Sequence, residues 1–118
     1  MRMRQNRLTT LYHKKRTVGK DREGATKTTY GDPEAVSGYS WSAGGQVQAA
    51  QYGDSLPYVR NIRLESPYTT NVENGVMHYV LPDGVDIVEK DLMVIEGMDY
   101  EIRAIRPERH LYMEAVRL

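Results

Sequence analysis

The residues of this 118-residue chain that could do chemistry are three histidines, a group of closely spaced acids and one pair of adjacent glycines. His13, His78 and His110 lie far apart, and none belongs to the paired-histidine helical pattern that binds zinc, so each reads as a strand or surface residue. Asp83, Asp86, Glu89 and Asp91 have the acid density of a calcium loop, but the glycine and the terminal glutamate are out of register. They read as a solvated turn. Gly44 and Gly45 precede a short helical stretch and could offer amides to a phosphate, yet no Lys-Ser or Lys-Thr follows as a nucleotide loop requires. No serine stands in a glycine-flanked elbow, and the chain has no cysteine, which removes thiolate nucleophiles, disulfides and cysteine-ligated metals together. The expectation is a non-enzymatic protein with no cofactor, no metal and no small-molecule substrate.

The elements that would position such residues are mostly strands. "LTTLYHKKRTV" (8–18) interleaves β-branched, aromatic and polar residues and predicts a first strand, closed by the turn "GKDREG". "ATKTTY" predicts a short polar strand stopped at Gly31-Asp32-Pro33, and "AVSGYSWSA" a third with Tyr39 and Trp41 on one face. Gln46 to Gln51 contains good helix formers between Gly45 and Gly53, which predicts about two helical turns with Gly53 as the C-terminal cap. "VRNIRLES" is extended again, "SPYTTNVENG" reads as a turn-rich loop, and "VMHYVLPDGVDI" holds a short strand ending at Pro82 before a tight Asp83-Gly84 turn. The chain closes with a three-strand meander. "LMVI" is continuously apolar, which suits a strand covered on both faces. Gly97 fits a left-handed position, and a type I turn with a glycine bulge would pair Val94 with Met98 and Leu92 with Tyr100. Tyr100, Ile102 and Ala104 then share a face, Pro107 takes the second position of the next turn, and Leu111, Met113 and Ala115 return on one face. About six strands and one short helix in a single domain, 1–118, predict an all-β fold, a small β-barrel.

No apolar run approaches the roughly 18 residues a membrane span needs, and "MRMRQNRL" lacks the apolar core of an export signal. Net charge is zero but unevenly spread: residues 1–30 carry nine Lys/Arg against Asp21 and Glu23, and the remainder seven against fourteen acids. Arg2, Arg4, Arg7, Lys14, Lys15 and Arg16 therefore form a candidate partner-contact arm, with residues 1–7 as its free end. Nine tyrosines, one tryptophan and no phenylalanine favour half-buried positions and interfaces over a dry core. A basic arm with Tyr12 interleaved on a small barrel also has the composition of a nucleic-acid binder, although no aromatic triplet for base stacking follows it.

In order, "LYHKKRTVGKDREG", "YGDPEAV", "GGQVQAAQYGDSLPY" and "VIEGMDYEIRAIRP" span nearly the whole chain. Their succession resembles the head–tail connector proteins of tailed bacteriophages and defective prophages, also described as head-closure or minor capsid proteins. That resemblance implies a small β-barrel assembled as a ring under the portal, between capsid and tail, around the channel through which DNA leaves. It implies as partners the portal or an adaptor protein, a tail-terminator protein, further copies of the chain and passing DNA. The host cytoplasm during assembly and then the virion neck would be its locations. Stopper-type members project a loop into the channel; the matching stretch here is Ser42 to Tyr58, with Gly44, Gly45, Gln51, Tyr52, Gly53, Asp54 and Tyr58 as candidate channel or neighbour contacts. A subunit of this kind is expected to stay monomeric until the portal offers a template.

Overall fold

A computed structural model of the protein describes residues 8–118. Six antiparallel strands close into a barrel: β1 (Thr9–Lys14), β4 (Glu34–Ser42), β5 (Val59–Leu64), β11 (Leu111–Arg117), β10 (Met98–Pro107) and β9 (Leu92–Ile95), which returns to pair with β1. Two hairpins stand off it. One is β2 (Arg16–Lys20) with β3 (Thr26–Tyr30); the other is β6 (Thr69–Glu73) with β7 (Val76–Val80), extended by the short β8 (Asp86–Ile87). The one α-helix among the described residues, α1 (Gly45–Tyr52), runs into a 3-10 turn over Gly53–Tyr58. No helix among the described residues is long and apolar enough to cross a membrane.

Alternation fills the barrel. Leu11 on β1, Val36 on β4, Ile62 and Leu64 on β5 and Leu111, Met113 and Ala115 on β11 point inward, and each buried Val, Leu, Ile or Met side chain contributes roughly 1.5 to 3 kcal/mol. Tyr79, Leu81, Val85 and Ile87, carried by β7, β8 and the turn between them, join the same cluster. The arrangement bears out the predicted all-β barrel, the helix with Gly53 at its C-terminal end (φ 52°) and the shared face of Leu111, Met113 and Ala115.

The expected first strand divides at Lys15, so that its first half joins the barrel and its second leaves with the β2–β3 hairpin. The "SPYTTNVENG" segment is not a loop: residues 69–73 form β6, and Asn74-Gly75 (φ 53° and 77°) is the two-residue turn to β7. Asn-Gly suits both left-handed positions of a type I′ turn, whose twist matches that of the strands it joins.

The meander is also paired otherwise. Glu96 and Gly97 (φ 51° and 80°) make a two-residue turn, pairing Ile95 with Met98, Val94 with Asp99 and Met93 with Tyr100. The expected glycine bulge is absent there, and the one-residue shift puts Met93 and Ile95, not Leu92 and Val94, on the face of Met98, Tyr100 and Ile102. Burying Met93 and Ile95 offsets the roughly 1 to 2 kcal/mol that a left-handed Glu96 costs. A bulge does occur further on, between Ile102 and Ala104, and it turns Ile105 rather than Ala104 toward the core. Pro107 ends β10 opposite Leu111, so the last turn is Glu108 to His110 instead of a turn centred on the proline.

Candidate assembly surface

In a closed barrel each strand lends its edges to neighbours, so unpaired backbone is concentrated elsewhere. Here it lies on the hairpins. Every residue of β2 and β3 is exposed except the half-buried Arg16, and their five-residue ladder touches the barrel only at its root. The Asp21 side chain accepts the N–H groups of Glu23 and Ala25, both at 2.9 Å, and so shapes the tip. Lys20, Arg22 and Lys27 outnumber Asp21 and Glu23 at the solvent-facing end of this hairpin, while Val18 and Tyr30 add exposed apolar surface. On the second hairpin, Val72 faces Met77 across the ladder and both are exposed, as is Val76.

Within the described residues, β1 pairs with β4 from Thr9 opposite Gly38 to His13 opposite Glu34.

Helix α1 lies against the outer wall without burying any side chain. Its tethers are polar: Gln48 Nε2 donates to Asn61 Oδ1 at 2.6 Å, and the Tyr52 hydroxyl donates to Glu114 Oε1 at 2.6 Å. Arg106 holds the other oxygen of Glu114 at 2.7 Å. Burial and the contact with Glu114 push the Tyr52 hydroxyl up to about 12. Burial alone would raise the Glu114 carboxyl, but the hydrogen bonds from Tyr52 and Arg106 outweigh it and hold the group below the usual carboxylate range.

Of the predicted arm, Arg2, Arg4 and Arg7 lie outside the described residues. Lys14 pairs with Asp99 at 3.5 Å and Lys15 with Asp86 at 3.4 Å, so these two cations serve the fold, and Arg16 opens β2. The predicted segment around Gly44, Gly45, Gln51, Tyr52, Gly53, Asp54 and Tyr58 is folded as helix and 3-10 turn rather than as an open loop. Tyr52 is anchored on Glu114, the Tyr58 ring lies under the Arg117 guanidinium at 4.8 Å, and Gly44, Gly45, Gly53, Gln51 and Asp54 are exposed. Gly97 occupies a left-handed turn position as expected.

Asp91 departs from the solvated-turn reading, since it is 2% exposed and hydrogen-bonded to His13, itself fully buried. Alternation offered a signal for His13, two residues after the inward Leu11. None marked its partner 78 positions away. Among the described residues no group of three or more His, Asp or Glu side chains is arranged to hold a metal ion.

No protein-family model matches the chain, and no curated protein or solved structure matches it either.

Proposed function

We propose that this chain is a structural, non-enzymatic subunit of a phage or prophage head–tail connector, forming a ring under the portal that joins capsid to tail around the DNA exit channel. The observation that carries the reading is the division of labour in the fold: a barrel closed on itself, with unpaired strand edges displayed on two projecting hairpins. Edges of this kind suit strand addition between copies, and a heterologous contact repeated around an axis closes into a ring. The resemblance along the sequence supplies the setting, with the portal or an adaptor above, a tail-terminator protein below and DNA passing through. In this reading the subunit works first in the host cytoplasm and then in the particle neck.

The exposed Lys20, Arg22 and Lys27 favour a second reading, direct nucleic-acid binding. Yet the basic hairpin offers only Tyr30 as an exposed aromatic, a poor stacking platform.

Removing the gene from a strain that produces particles separates the two. The connector reading expects DNA-filled heads and free tails that fail to join, with joining restored by the protein in trans. Intact tailed particles without the gene would contradict it. Tight DNA binding by the purified protein, falling steeply with salt, would favour the second reading.

A further inference from the structure

The β2–β3 hairpin meets the barrel at one place. Between the last residue of β1 and the first of β2 stands Lys15 alone, and directly beneath it lies the buried carboxylate of Asp91. Oδ1 of Asp91 accepts the Arg16 N–H at 2.9 Å. Oδ2 accepts the Val88 N–H at 3.0 Å and faces His13 Nε2 at 2.8 Å, with Lys15 Nζ at 3.9 Å. The other imidazole nitrogen, Nδ1, is 3.0 Å from Glu34 Oε1, so the ring is held between two carboxylates from different elements. Across the root, the Gly31 N–H donates to the Lys15 carbonyl at 2.8 Å, and Lys15 Nζ reaches the Asp86 carbonyl at 3.3 Å.

We propose that the β2–β3 hairpin is a latched arm: a preformed paddle that can swing about Lys15 and Gly31, with the Arg16 N–H on Asp91 as its latch and His13 as a positioning residue. Three observations support a swinging unit. The ladder from Arg16–Tyr30 to Lys20–Thr26 is self-contained, so the paddle keeps its internal bonds as it moves. Its side chains beyond Arg16 are exposed, so little apolar surface is uncovered. Asp91 keeps His13 and Val88 as partners when the Arg16 bond opens, which spares the core an unpaired buried charge. The inference concerns the free subunit and holds whether or not the protein forms a ring.

The absence of cysteine allows site-specific spin labelling. Labels at Thr28→Cys on the paddle and Arg109→Cys on the barrel would read the arm's direction by pulsed electron resonance. A narrow distance distribution is expected in the labelled wild-type background. Arg16→Pro removes the donor without touching the buried pair, and proline is tolerated at the first residue of a strand. Asp91→Asn turns an amide donor toward one of the backbone donors. Both variants are expected to broaden and shift the distribution, and in the Arg16→Pro protein, which leaves the buried pair in place, amide exchange in β5 and β11 stays as in the wild type. An unchanged narrow distribution in the Arg16→Pro protein would overturn the proposal. So would loss of protection in β5 and β11 in that variant, because the bond would then belong to the core.

Discussion

The Tyr52–Glu114 contact couples protonation to stability in both directions of pH. Glu114 is held below the usual carboxylate range, so its contribution is present above an ordinary carboxyl value and is lost as pH falls through the lowered one. Tyr52 keeps its proton to about 12, whereas a tyrosine in the unfolded chain ionises near 10. Its contribution is therefore complete below about pH 10 and disappears as pH climbs toward 12. Replacing Tyr52 with Phe should cost on the order of 1.5 kcal/mol at neutral pH, the worth of a hydrogen bond to a charged acceptor. It should also flatten the alkaline part of the stability profile. Urea unfolding of both proteins from pH 7 to pH 11 would read the two effects, and parallel profiles would show the contact to be idle. At the Glu96-Gly97 turn both residues are left-handed, which Asn tolerates and Glu does not. Glu96→Asn is thus expected to raise the melting temperature by a few degrees. Gly97→Val should lower it by several, since about 1 kcal/mol moves a domain of this size by roughly 4 °C.

Among the elements, the sequence disclosed strands wherever alternation or apolar runs were strong, as in Leu111, Met113 and Ala115. It failed where local signals competed. Thr69 to Glu73 reads as loop because Ser66, Pro67 and Asn71 surround it with turn formers, yet Asn74-Gly75 sets a tight hairpin and β6 follows from that turn. Register in the meander hinged on whether Glu96 would accept positive φ, and burial of Met93 and Ile95 decided against its local preference. The His13–Asp91 pair was illegible for another reason: nothing local joins residues 78 apart until the barrel closes. Gly38 shows a demand of the same origin. A Cβ there would lie 2.6 Å from the Arg63 carbonyl oxygen on the neighbouring β5. Gly38→Ala should therefore cost about 1 to 3 kcal/mol, the range for overpacking, and calorimetry should show a melting temperature lower by roughly 4 to 12 °C. Unchanged melting would mean that β4 and β5 can separate locally at no cost.

At the scale of the whole molecule, the radius of gyration of 14.9 Å exceeds the roughly 13 Å of a compact domain of about this length, and the long axis reaches 53 Å. The hairpins account for that reach, and in the proposed ring they span from one barrel to the next or to a neighbouring connector protein. The uneven charge fits the same picture. Lys20, Arg22 and Lys27 outnumber Asp21 and Glu23 on the exposed β2–β3 hairpin, while acids outnumber Lys and Arg over residues 31–118, so a hairpin of one copy can attract the body of the next. The most direct measurement is a reconstruction of the neck of assembled particles by electron cryomicroscopy. The account predicts a ring of these six-stranded barrels between portal and tail, with the β2–β3 or β6–β7 hairpin contacting the adjacent subunit. A neck fully accounted for by other chains, with this protein absent from the particle, would contradict it.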